Sequence, residues 1–227
     1  MKKFLILMIM SIFISSTAYA IPSLQLWVDG IYDYETETWI TYDGVFDLYV
    51  IANLDKIEIP DEIFISMALA PREDYNPGDE PLPGSVTFEG QDASWLWGTP
   101  PVYDDDGYGN LPYHGVYPTW FSQHNIGNHV GQTQVNIGNV QPDGGGNFWD
   151  PNTPGEPKQW GYIRHFQIAV DGVDGVQFDA YHMDEGRVQY FAPFSHDAGY
   201  AVPEPGTMIL MGIGLIGIGI AARRRKK

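Results

Sequence analysis

The stretch Val102-Tyr103-Asp104-Asp105-Asp106-Gly107-Tyr108-Gly109-Asn110 holds the residue types best suited to chemistry. Asp104, Asp106 and Asn110 could present several oxygens to Ca2+, which binds through carboxylates and carbonyls in flexible loops. The EF-hand template does not fit. With Gly107 at loop position 6, Val102 falls at position 1 and Tyr113 at position 12, where acidic ligands are needed. A solvated acidic turn is the simpler reading, so no cofactor is expected and Ca2+ is the one candidate ion. Asp171 with Asp174 reads more simply as a hairpin turn.

The histidines invite a transition-metal reading, which the spacing does not support. His124 and His129 are five apart, with His114 upstream, in Gly- and Asn-rich sequence that lacks the four-residue spacing of a helical zinc pair. His165 and His182 fall inside predicted strands, where they are candidate sheet neighbours, and His196 sits in FAPFSHDA. Hydrogen-bonded structural histidines are expected. Nucleophilic catalysis has no cysteine, no G-x-S-x-G elbow and no H-E-x-x-H to draw on. Ser195-His196-Asp197 are consecutive, and on an extended chain neighbours point to opposite faces, so they do not read as a relay. The acids are too numerous to single out a glycosidase pair. Trp95, Trp97, Trp120 and Trp149 could stack on sugar rings, against the default that they fill a core. A strand Trp95-Leu96-Trp97 would put both indoles on one face.

The elements that must position these residues are strands. Alternation with period two recurs and helical periodicity does not. Leu24, Leu26 and Val28 share a face, and Trp39 to Tyr42 and Phe46 to Asn53 come next, with Asp43-Gly44 between them as a hairpin signal. Ile63, Ile65, Met67 and Leu69 share the next face. Later runs are Val86 to Phe88, Val135 to Ile137, Tyr162 to Val170, Gly175 to His182 and Arg187 to Phe191. The last two are joined across Asp184-Glu185-Gly186, and the preceding two across Asp171-Gly172-Val173-Asp174. The spacing predicts an all-β antiparallel sandwich, jelly-roll or Ig-like, with long loops over 71–84, 98–113 and 141–160. Residues 195–201 read as a short connection to the C-terminal segment.

Both ends of the chain are of a different kind. Lys2 and Lys3, the apolar run Phe4 to Ile14, and the small-residue pattern Ala18-Tyr19-Ala20 form the three regions of a secretory signal peptide over 1–20, cleaved after Ala20 by signal peptidase. At the other end, Val202-Pro203-Glu204-Pro205-Gly206-Thr207 leads into an uncharged run, Met208 to Ala222, closed by Arg223, Arg224, Arg225, Lys226 and Lys227. In lipid that run must be helical to satisfy its backbone. Its fifteen residues span roughly 22 Å against a hydrocarbon core of about 30 Å, a strained and disposable anchor. The basic end stays cytoplasmic, which puts the preceding chain outside the inner membrane. Gly212, Gly214 and Gly217 spell GxGxxG by accident, since no strand precedes them.

Between these ends lies a single domain, 21–201. From Ile21 to Val202 only Lys56, Arg72, Lys158, Arg164 and Arg187 oppose 28 acids, a net charge of −23. Such a surface repels nucleic acid and anionic lipid and attracts divalent cations. Cysteine is absent, so stability rests on the core or on ions, and seven tryptophans supply that core.

The order of Pro203-Glu204-Pro205-Gly206, hydrophobic run and basic end over 202–227 resembles the PEP-CTERM sorting signal of Gram-negative bacteria, whose partner is exosortase, a membrane transpeptidase. The segments SLQLWVDGIYDYETETWI, FDLYVIANL, HGVYPTWF, QFDAYHM and FAPFSHDAGYAVPEP together resemble the choice-of-anchor N family over most of 21–201. That resemblance implies one domain on an alternative anchor and adds no catalytic residue. The expectation is a non-catalytic protein, exported, held transiently at the inner membrane, sorted by exosortase, and delivered to the cell surface or an exopolysaccharide matrix. Carbohydrate and Ca2+ are its candidate ligands. The alternative is a secreted carbohydrate-active or metal-dependent enzyme using the loops between Pro71 and Trp160, which a cleft with paired carboxylates or clustered histidines would favour.

Overall fold

The computed structural model describes residues 21–57, 61–71, 74–78, 82, 84–101, 111, 116–152, 159–184 and 187–202. Ala18 and Ala20, the loop residues Asp104, Asp106 and Asn110, the motif Pro203 to Gly206, the hydrophobic run 208–222 and Arg223 to Lys227 lie outside the described residues.

The fold is all-β. The first half contributes β1 (Leu24–Trp27), β2 (Ile31–Asp33), β3 (Thr38–Thr41), β4 (Val45–Asn53) and β5 (Ile63–Leu69). Short strands β6 (Ser85–Phe88), β7 (Gln91–Asp92) and β8 (Leu96–Gly98) come next, then the long β9 (Thr119–Gly127) and short β10 (Val135–Ile137). The chain closes with β11 (Gln159–Asp171), β12 (Gly175–Asp184), β13 (Arg187–Phe191) and β14 (Asp197–Ala201). One sheet has the order β1-β4-β11-β6-β7 with β10 added on β11; the other runs β2-β3-β14-β12-β5-β9-β8 with β13 added on β12.

The two sheets pack face to face because each alternating strand turns one apolar row inward. In β5, Ile63, Ile65, Met67 and Leu69 are fully buried in the main core, while Phe64, Ser66 and Ala68 face the other way. Rings interlock across the layer: Trp27 meets Trp39 edge to face at 6.0 Å, Phe46 meets Phe178 at 5.9 Å, and His124 stacks on Phe88 at 4.5 Å. A second, smaller core lies on the outer face of the larger sheet, where Ala68, Phe121 and Tyr181 pack under Leu111 and Tyr117.

Four expectations need correction. Asp43-Gly44 and Asp171 to Asp174 are not hairpin turns, since β3 and β4, and likewise β11 and β12, belong to different sheets. They are corners where the chain crosses the sandwich, pinned by Val170 N–H donating to the Gly44 carbonyl at 2.7 Å. Gly84 closes over the second corner: its φ is +71°, and a Cβ there would lie 2.1 Å from the Asp171 carbonyl oxygen. For the same reason His165 (β11) and His182 (β12) are not sheet neighbours. Residues 197–201 are no mere connection but a central strand, with Ala198 fully buried between β3 and β12. The expected antiparallel pairing holds in every pairing of the described strands but one, β14 with β3, which run parallel.

Candidate functional site

β14 matters because it is where the folded domain hands over to the tail. It escapes a sequence reading because Asp197, Gly199 and Ala201 on its outer side are small or polar. The inward pair, Ala198 and Tyr200, is too short a run to announce a strand against that background. Its register is tight on both sides. In parallel with β3, Asp197 pairs Thr38 and Tyr200 pairs Thr41; antiparallel to β12, Gly175 pairs Ala201 and Phe178 pairs Ala198. The antiparallel ladder with β12 continues one step further, where Val202 N–H donates to the Asp174 carbonyl at 3.0 Å, while β3 ends at Thr41.

The outer face of these three strands forms a groove of about 340 Å3. Its floor carries Gly199 and Gly175, with Thr38 and Ile40 on one wall, Gln177 on the other, and Pro71 and Val116 at the rim. The absence of side chains at the two glycines makes the groove. A Cβ on Gly199 would meet the Val176 carbonyl oxygen at 3.2 Å. Asp197 and Asp174 supply carboxylates to the lining. The ladder places Asp179 next to Asp197 on the same face, each only 1% exposed. Asp179 is engaged from above: the Tyr117 hydroxyl donates to its Oδ2 at 2.5 Å and lies 2.9 Å from Ser66 Oγ. Burial, then the adjacent Asp179 charge, holds the Tyr117 phenol well above its ordinary range.

Just before β14, a single 3-10 turn, Phe194–His196, overrides the expectation that Ser195 and His196 point apart. Ser195 Oγ lies 2.9 Å from His196 Nδ1, and His196 Nε2 lies 2.7 Å from Asn139 Oδ1. Asn139 Oδ1 also accepts from Gln141 N–H at 2.8 Å, so Nε2 carries the proton and Nδ1 accepts from the serine. The order resembles a relay, but burial lowers the imidazole to about 4, too weak a base to activate a hydroxyl at neutral pH. The arrangement is a latch. It fastens loop 138–141 together with Trp39 Nε1, which donates to the Val140 carbonyl at 3.0 Å, and with the fully buried Gln25, which bonds Gly138 and Val140 at 2.9 Å.

The other sequence candidates disperse. His124 stacks on Phe88 with its Nε2 3.0 Å from Ser122 Oγ. His129 stacks on Tyr162 at 4.5 Å, and burial with the nearby Arg164 lowers it to about 4. His182 Nδ1 lies 2.9 Å from the Glu62 carbonyl oxygen. No group of three or more His, Cys, Asp or Glu fit for a metal occurs among the described residues. Trp95, Trp97 and Trp149 pack partly buried against the core and Trp120 is buried in it. Trp160, 54% exposed, is the one tryptophan that faces out among the described residues.

No curated protein matches the chain. Residues 201–226 match the PEP-CTERM protein-sorting motif. The match begins at Ala201, the last residue of β14, so the sorting signal is fused to a central strand without a linker. The chain thus carries the signal of an exported protein that exosortase handles at the membrane.

Proposed function

We propose that the chain is a non-catalytic envelope or extracellular-matrix protein, made with a signal peptide cleaved after Ala20 and released from its 208–227 tail by exosortase at Pro203-Glu204-Pro205. The observation that carries the reading is the direct join of β14 to a matched sorting motif at 201–226. A strand locked between β3 and β12 cannot accompany the tail into lipid, so the folded domain stays outside and only the tail is disposable. The resemblance of segments over most of 21–201 to the choice-of-anchor N family is in keeping with the same reading. Fractionating cells with and without exosortase tests it. The expected result is surface or matrix material without the Gly212 to Ile220 peptide when the enzyme is present, and a full-length inner-membrane form when it is absent. Surface material that retains that peptide makes the tail a permanent anchor and sinks the processing step.

One observation favours the secreted carbohydrate-active enzyme as a second reading: Asp197 lines the groove and the strand register places Asp179 next to it, two acids of the residue type that glycoside hydrolysis uses. Against it, Asp179 is buried and held by Tyr117. Assaying the protein and its Asp197→Asn variant on the producer's own exopolysaccharide separates the two, and only the enzyme predicts hydrolysis lost in the variant.

A further inference from the structure

We propose that the corner face around Val202, made by Tyr42, Asp43, Val45, Asp171 and Asp174, is a docking surface for the extracytoplasmic side of the sorting peptidase. The peptidase would then read the folded domain as well as the motif. The inference rests on the exosortase reading above.

Chain length forces the encounter. Val202 is held by the Asp174 carbonyl, and Pro203 is the very next residue. Residues 203–207, fully extended, reach at most about 18 Å before the hydrophobic run begins. A membrane peptidase acting at this motif therefore works within about 10 Å of the domain's lower end. Peeling β14 away to gain room would strip Ala198 and Tyr200 from the core.

The face has the character of an interface. Tyr42 is 49% exposed, Val45 61% and Val202 46%, three exposed apolar side chains on the segments that flank the exit of the tail. Asp43, Asp171 and Asp174, on the same chain corners, are exposed as well. Exposed aromatic and aliphatic anchors within a charged rim are the composition of a recognition patch. The patch is also stiff, because the Val170–Gly44 and Val202–Asp174 backbone bonds tie both corners to the sheets. Its charge chooses between the two surfaces within reach. Three carboxylates disfavour an anionic surface, so the docking proposed here requires basic groups on the peptidase face.

Pulse-chase conversion of the full-length chain to the processed form, in cells with exosortase, tests this. Tyr42→Ser with Val45→Ser should slow processing roughly tenfold, the scale of losing two interface anchors, while the melting temperature of the purified full chain stays put. Asp43→Lys, Asp171→Lys and Asp174→Lys together should slow it too; unchanged or faster processing would assign the face to lipid and overturn the proposal. A six-residue Gly-Ser spacer between Val202 and Pro203 should slow processing and abolish sensitivity to the Tyr42 and Val45 changes. Faster processing of the spacer form would mean that the domain merely obstructs the enzyme. Glu204→Ala separates the two readings. If it blocks processing while the face variants run at the wild-type rate, docking fails and sorting stands; if it changes nothing, sorting fails first.

Discussion

The outer face of the larger sheet is finished in two different ways on either side of β12. Toward β5 and β9 it is sealed: Ser66, Ala68, Phe121, Asp179 and Tyr181 lie under Leu111, Val116 and Tyr117, and the second core results. Toward β14 and β3 the same face stays open as a groove floored by Gly175 and Gly199. Val116 belongs to both, packing on the second core and lining the groove. One aromatic ring with a hydroxyl that can satisfy a buried carboxylate closes the first half. Two glycines keep the second half clear beside the point where the tail departs. This face is covered on the sealed side and uncovered on the side that leads to the sorting signal.

The largest expected effect separates β14 from the tail it carries. A chain ending at Pro193 loses β14, splits the sheet between β3 and β12, and should show no cooperative melting. A chain ending at Val202 should melt within about 0.5 kcal/mol of the full domain, measured by denaturant titration. If the shorter truncation folds, β14 is not the structural element its burial implies.

Next comes the seal. Tyr117→Ala should cost about 3–5 kcal/mol by opening a cavity over Asp179, and Tyr117→Phe about 1–3 kcal/mol, because the ring remains while the hydroxyl's hydrogen bonds to Asp179 and Ser66 are lost. Equal losses in urea titrations of the two variants would show that packing alone closes this side.

Acid should expose the cost of the buried imidazoles. His129 and His196 both titrate near 4 when folded and near 6.5 when unfolded. Between those values the unfolded chain binds the extra protons, so stability is whole above about pH 6.5 and falls as pH drops toward 4. Each histidine accounts for about 3 kcal/mol at the bottom of that window. Stability measured against pH should therefore lose part of its acid limb in His129→Leu, and an unchanged limb would contradict the burial of that ring.

The smallest effect belongs to the groove. Gly199→Ala places a methyl 3.2 Å from the Val176 carbonyl and should cost less than about 1 kcal/mol, with sorting unaffected. A loss as large as that of Tyr117→Ala would mean that the open half is as tightly built as the sealed one.

The sequence by itself determined the class of fold, because alternating rows such as Ile63, Ile65, Met67 and Leu69 have only one way to bury a face. The runs Val135–Ile137 and Arg187–Phe191 were legible to the residue, as was the sorting motif, whose order of prolines, apolar run and basic end needs no tertiary partner to be read. Which sheet each strand joins was not legible. Asp43-Gly44 and Asp171 to Asp174 carry the same turn chemistry whether the chain folds back on itself or crosses the sandwich, and only the partner faces decide. β14 shows the same limit more sharply. Asp197, Gly199 and Ala201 carry no apolar signal, yet they occupy a central strand because β3 and β12, far away in the chain, supply the hydrogen-bonding edges on both sides. The adjacency of Asp179 and Asp197 and the latch of His196 to Asn139 likewise exist only once those distant edges meet, since local sequence fixes which way a side chain faces but not what will be across from it.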